Sequence, residues 1–160
     1  MVEDSKKFSE FIEEAGVLFE YFGTTRMIGR IFGWMVVCRP PHQSAKEIAE
    51  ALDASAGSIS TSLRVLQQIG FIEKIGIPGD RSSYYRIDGD ALGKVLLNKS
   101  KGIEQLVELA EKGISLAENY TEEEKRRLTE MRDIYAWFSR EFPKFLQSYF
   151  ELKKEEGNIK

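Results

Sequence analysis

Apolar residues fall at Phe8, Ile12, Ala15, Phe19 and Phe22, in alternating steps of four and three. That spacing puts one stripe on a helix, predicted over about Lys6 to Tyr21 and broken by Gly23-Thr24-Thr25. From about Thr25 to Cys38 nearly every position is apolar: Met27, Ile28, Ile31, Phe32, Trp34, Met35, Val36 and Val37. A helix that is apolar all round is covered from several sides. Gly29 and Gly33 share one of its faces and admit another helix at close range. Arg39-Pro40-Pro41 ends it.

The pattern then changes. Ser44 and Glu47 form a capping box, in which hydroxyl and carboxylate satisfy the first free N–H groups of a helix. That third helix runs to Leu52, with Ile48, Ala49 and Leu52 inward. Asp53-Ala54-Ser55 is a turn, and Ser55 is a good N-cap for a fourth helix, Ala56 to Ile69. Ile59, Leu63, Leu66 and Ile69 face its core side. Gly70 closes it and Phe71 supplies the apolar contact that follows such a stop. Phe71 to Ile75 reads as a strand, Ile77-Pro78-Gly79-Asp80 as a turn, and Ser83 to Ile87 as the returning strand.

Asp88-Gly89-Asp90 leads into a fifth helix, about Ala91 to Glu118, with Leu92, Leu96, Ile103, Leu106, Ala110, Ile114 and Ala117 on one side. Asn98 to Gly102 is a weak patch where it can bend or break. Thr121 and Glu124 form a second capping box. The helix they open carries Leu128, Met131, Tyr135, Phe138, Phe142, Phe145, Tyr149 and Leu152 in strict steps of three and four, a coiled-coil-like seam. Ile134, Trp137, Leu146 and Phe150 widen it, and Pro143 is expected to kink it. The tail from Lys153 is polar and expected to fray.

The expected fold is mainly α with a small β-hairpin wing: a winged helix-turn-helix with N- and C-terminal dimerisation helices. Residues 1–90 would form the N-terminal helices and DNA-binding domain, with the reader at 44–87. Residues 91–160 would form a helical dimerisation and effector region.

Charge sharpens this picture. The 160-residue chain carries a net charge of −3, so it is no bulk polyanion binder. Between Ala54 and Ile72 Arg64 is the only charged residue, so DNA binding would rest on a local surface. A single cysteine excludes an internal disulfide framework and fits a reducing cytoplasm. The charged N-terminus lacks the apolar stretch of a signal peptide, and no apolar run approaches a membrane span.

In a helix-turn-helix the second helix lies in the major groove. Here it offers Gly57, Ser58, Ser60, Thr61, Ser62 and Arg64. Small side chains let the helix approach closely, hydroxyls bond bases or phosphates, and the Thr61 methyl can touch a thymine methyl. Arg64 can clamp a guanine or hold a phosphate; phosphate is favoured, since it sits more than two turns into the helix. Free N–H groups beside Ser55 suit a phosphate. Arg81, beside the hairpin tip, can enter the minor groove, with Asp80 orienting its guanidinium. Lys74 and Arg86 are further phosphate candidates, or ordinary strand surface charges.

The run from Gly29 to Ile87 resembles regulators of the GbsR/MarR type, bacterial and archaeal repressors with a winged helix. The resemblance is carried by Gly29-Arg30-Ile31 and Gly33, the Ala45–Leu52 helix, Gly57-Ser58-Ile59-Ser60, Leu63-Arg64 and Leu66, Ile69-Gly70-Phe71, and Gly79-Asp80-Arg81 before Tyr84-Tyr85. It implies a homodimer reading a pseudo-palindromic operator in double-stranded DNA. The interface would use Phe8, Ile12 and Phe19 of the first helix and Leu128, Met131, Tyr135, Phe138, Phe142, Phe145 and Tyr149 of the last. It carries recognition contacts onto Ser58, Ser60, Thr61 and Arg64, and a wing contact onto Arg81. Some family members answer to quaternary ammonium compounds such as choline, which need an aromatic cage. Candidates here are Tyr21, Trp34, Tyr135 and Trp137, although core and dimer packing explains each of them too.

Other classes fit less well. His42 is the only histidine and has no catalytic motif around it; no metal-ligand spacing, phosphate loop or nucleophile elbow is present, and neither enzyme activity nor a cofactor is expected. Cys38 suggests a redox-sensing alternative, but it ends an apolar helix, where a thiol is buried and inert. A winged-helix adaptor that never meets DNA would need an acidic or apolar recognition face. The face here is small and acid-free.

Overall fold

Two glycines decide how the first helices meet. The computed structural model describes residues 2–87, 91–155 and 157. In it α1 (Val2–Tyr21) lies along α2 (Arg26–Val37). A Cβ at Gly29 would run into the Ala15 carbonyl, and one at Gly33 would stand 2.9 Å from the Ala15 Cβ. The helix that the glycines admit is therefore α1. Thr25 caps α2, its hydroxyl accepting from the Ile28 N–H at 3.4 Å.

The expected stripe on α1 is only partly inward. Ile12 and Phe19 are buried, while Phe8 and Phe22 are exposed. Phe19 joins Phe32 and Phe71 in an aromatic cluster with ring centroids 5.0 to 5.8 Å apart. This cluster caps a core in which Ile31, Ile48, Ile59, Leu63 and Leu66 are fully buried. Each such side chain stabilises the fold by roughly 2 kcal/mol.

The helix-turn-helix is α3 (Ala45–Ala51) and α4 (Ala56–Ile69). Both arms of the Ser44–Glu47 capping box are made: Ser44 N–H to Glu47 Oε2 at 2.6 Å, and Glu47 N–H to Ser44 Oγ at 3.2 Å. Gly70 ends α4 at φ 91°, a left-handed conformation that suits glycine. The Gly70 N–H reaches the Gln67 carbonyl and the Phe71 N–H that of Leu66, the paired bonds of a Schellman stop.

The sheet has three strands, not the two expected. β1 (Gln43–Ser44), β2 (Glu73–Gly76) and β3 (Ser83–Arg86) are antiparallel in the order β1-β3-β2. Two residues are too short to show alternation, and Gln43 is polar yet buried, its Nε2 donating to the Pro40 carbonyl at 3.1 Å. The register sets Gln43 and Lys74 beside Tyr85, and Glu73 beside Arg86.

By its internal contacts the chain forms two compact units, Met1–Leu92 and Gly93–Lys160. The second holds most of α5 (Ala91–Leu116) and all of α6 (Glu122–Glu155). Residues 88–90, the Leu92 side chain and the last residues of the tail lie outside the described residues. α5 is continuous through Asn98–Gly102, the weak patch where a bend or a break was expected; the Ser100 hydroxyl turns back to the Leu97 carbonyl at 2.7 Å. Thr121 and Glu124 close the second capping box. α6 also runs on through Pro143. Phe150 lies over Gly93 and Leu128 over Gly113, so the two helices run antiparallel.

Those contacts divide the expected seam between two faces of α6. A residue period of 3.5 drifts off the face of an α-helix, which repeats every 3.6 residues. Counted from Leu128, the helical repeat reaches 146 and 150 rather than 145 and 149. Accordingly Leu146 is buried and Phe150 packs on Gly93, whereas Phe145 is 70% exposed and Tyr149 47%. Leu128, Met131, Tyr135, Phe138 and Phe142 are half-buried, and the last two stack at 4.8 Å.

Candidate nucleic-acid interface

The turn between α3 and α4 presents the recognition helix. Asp53 takes φ 47°, which a short polar side chain tolerates, and lets the chain reverse tightly. Ser55 caps α4, accepting from the Ser58 N–H at 3.3 Å. A shallow hollow of about 560 Å³ lies here, floored by Ala45, Ala49, Ala54 and Ala56 and edged by Ser55. Glu50 and Asp53 stand on its rim, with Glu50 3.8 Å from Lys46.

Gly57, Ser60, Thr61 and Arg64 are exposed on the outward face of α4, and Ser58 is half-buried beside them. No acidic residue occurs on this helix. Ser62 is a correction: it is 6% exposed. It falls three residues after Ile59 and four before Leu66, so it shares their inward face.

At the wing, Arg81 is exposed at the tip. Asp80 does not orient it, contrary to expectation. Oδ1 of Asp80 accepts from the Ser82 N–H and Oδ2 from the Tyr84 hydroxyl, both at 2.7 Å. The Ser82 N–H, and then Tyr84, hold the Asp80 carboxyl below its ordinary value; the same bond pushes the Tyr84 phenol up. The His42 ring stands edge-on to Tyr84 at 5.5 Å, so the loop before α3 buttresses the hairpin. Arg86 is held across the strands by Glu73 at 2.5 Å, which weakens it as a phosphate contact. Lys74 is exposed and projects from the opposite face, since paired positions alternate sides.

Of the expected interface residues, Ile12 and Phe19 are spent on the core of their own unit; they are corrected from interface to core. The periodicity of α1 masked a second stripe. Phe11, Leu18 and Tyr21, with Val17 beside them, are 41% to 85% exposed. An apolar face left open on a folded domain marks an interaction surface. The signal is present in the sequence as steps of seven and three from Phe11, but it overlaps the aromatic stripe of Phe8, Phe19 and Phe22.

The curated relative HTH-type transcriptional regulator MmpR5 of Mycobacterium tuberculosis (strain ATCC 25618 / H37Rv) is 37% identical over 147 residues. That stretch spans 92% of this chain and 89% of the relative. The chain belongs to the MmpR5-like MarR family of transcriptional regulators. That family, as such, matches residues 90–151. A solved crystal structure of a transcriptional regulator superposes with a TM-score of 0.83 at 37% identity, covering 91% of this chain and 99% of that one.

In this MarR-family regulator the proposed effector cage does not assemble within either unit. Gly33 meets Ala15 and Ile12 while Gly29 meets Phe19, so α1 and α2 are antiparallel. Trp34 therefore lies near the middle of α1 and Tyr21 at its end, more than ten ångström apart at about 1.5 Å per residue. Trp34 packs against the core, whereas Tyr21 is 85% exposed and edge-on to Phe22. Tyr135 and Trp137 are two residues apart on α6 and point to different sides. Cys38 is buried, its thiol directed to the Met35 carbonyl, and burial pushes its pKa up. Both facts oppose thiolate chemistry. No helix among the described residues is long and apolar enough to cross a membrane.

Proposed function

We propose that this regulator is a dimeric, sequence-specific DNA-binding repressor that works in the cytoplasm. α4 enters the major groove with Ser58, Ser60, Thr61 and Arg64, and the wing brings Arg81 to the minor groove. The observation that carries the reading is the outward face of α4, small, hydroxyl-rich and free of acids. Ser55 and the free N–H groups at the start of α4 hold a phosphate. Residues 1–90 serve as the reader and 91–160 as the dimerisation and effector region. The open stripe on α1 and Phe145 and Tyr149 on α6 supply the interface.

The test is a fluorescence titration against DNA from upstream of the protein's own operon, repeated over a range of salt. Affinity should fall steeply with salt, because phosphate contacts release counterions. Absent or salt-insensitive binding overturns the reading. The finer GbsR-type assignment rests on Gly29-Arg30-Ile31 and Gly33, and a quaternary ammonium effector goes with it. Choline that leaves DNA affinity unchanged removes that part alone.

A further inference from the structure

Arg30 lies outside the DNA-facing surface, yet it is tied to the turn that aims α4. Its Nη2 donates to the Leu52 carbonyl at 3.0 Å. Leu52 is the C-cap of α3, so this carbonyl lies past the helical ladder and suits a cationic donor. On its other side Arg30 Nε stands 2.7 Å from Glu13 Oε1 on α1. The second Glu13 oxygen is held by Arg26 at 3.0 Å. The Arg30 side chain is 24% exposed, a setting in which a charged group is held in place rather than left to swing in water. Gly16 clears the slot for both arginine stems: a Cβ there would stand 2.9 Å from the Arg26 Cγ and 3.1 Å from the Arg30 Cγ.

We propose that Arg30 is a positioning residue for DNA recognition, fixing the helix-turn-helix turn to α1 through the chain Glu13–Arg30–Leu52 carbonyl. The proposal rests on the DNA-reading function above. Apolar packing of Ile48, Leu52, Ile59 and Leu63 holds α3 and α4 together but carries no direction. The Nη2 hydrogen bond to the Leu52 carbonyl does carry direction, and the close Nε–Glu13 ion pair, whose geometry leaves the buried Nε–H without a hydrogen bond, anchors the same group by charge. Arg30 supplies both from one planar group, with α1 as the fixed end. Glu13 also borders the open apolar stripe, in a groove with Glu14, Val17, Leu18 and Tyr21. Whatever covers that stripe therefore bears on the aim of α4.

The experiment compares two labelled duplexes of equal length, one selected by the wild-type protein from a random pool and one of random sequence. Arg30→Met should weaken binding to the selected duplex by about ten-fold or more. Binding to the random duplex should stay within about two-fold, because the phosphate contacts are intact. Glu13→Gln should give a smaller loss in the same sense, and adding it to Arg30→Met should cost nothing further. Arg30→Lys keeps the charge without the two-armed reach and should behave like Arg30→Met. If Arg30→Met does not fold, the Arg30→Lys and Glu13→Gln variants carry the test through the same ratio. An unchanged ratio, equal loss on both duplexes, or additive losses in the double variant overturns the proposal. A wild-type protein that selects no sequence overturns instead the DNA reading beneath it.

Discussion

Under the proposed function, single residues on α4 divide between reading DNA and holding the fold. Ser62 and Thr61 are neighbours of similar chemistry, but one is buried and the other exposed. Ser62→Ala should leave operator affinity within about two-fold, whereas Thr61→Ala should lower it by about 1 kcal/mol or more. A gel-shift series reads the difference, and equal effects would erase the distinction. The capping carboxylate Glu47 offers a test by pH. The Ser44 N–H, and then the Ser44 hydroxyl, hold its pKa below the ordinary value. The folded value thus lies below the unfolded one of about 4.3, so the stabilisation is whole above that value. It is lost as pH falls through the folded value. Glu47→Gln should therefore be less stable than wild type at neutral pH and converge with it in acid. Urea melts at a series of pH values check this, and a constant gap would show that the cap carries none of the pH dependence. Caps and stops such as these were legible in the sequence because they are local: Ser44, Ser55, Gly70 and Thr121 each act within a few residues.

At the scale of elements, periodicity located every helix among the described residues but did not resolve how two of their faces divide. α1 carries two apolar stripes, and nothing in its own sequence tells which one α2 will cover. The Gly29–Gly33 face decides it by meeting Ile12, Ala15, Gly16 and Phe19. On α6 the strict three-four spacing suggested a continuous seam, yet a helix packed on one neighbour follows its own repeat. Hence Leu146, which lies off the seam, is buried, and Phe145, which lies on it, is open. Leu146→Ala should destabilise the protein by about 2–5 kcal/mol, as cavities in well-packed sites do. Thermal melting of the variant checks this, and a loss no larger than that of an exposed position would mean the seam register holds after all. β1 was missed for a different reason. Its strand character comes entirely from pairing with β3, which lies some forty residues further along.

For the whole molecule, the side chains that the proposed function turns toward DNA are few: the exposed Arg64 and Arg81 and a patch of hydroxyls. Under the proposed function, specificity then comes largely from holding two readers at a fixed spacing, as dimeric helix-turn-helix proteins do. Under the same proposal the surfaces that set that spacing are the open stripe on α1 and the exposed Phe145 and Tyr149 of α6. A double substitution, Leu18→Glu with Phe145→Glu, should give a folded monomer with weakened operator binding, because a charge does not enter an apolar interface unpaired. Sedimentation velocity decides, and a dimer that persists would place the interface elsewhere.

The sequence by itself determined what is local or periodic: the helices, their caps, the acid-free face of α4 and the hairpin with Arg81 at its tip. Each depends on neighbours within a turn or two of chain, so residue spacing suffices. Tertiary structure alone decided which of two apolar stripes is buried and that Ser62 turns inward beside Leu66. It also decided that Asp80 staples the wing through Tyr84, and that Arg30 joins Glu13 to the turn before α4. Those outcomes depend on partners far away in sequence, whose side chains compete for the same surface or the same hydrogen bond. Spacing along one chain segment holds no record of that competition.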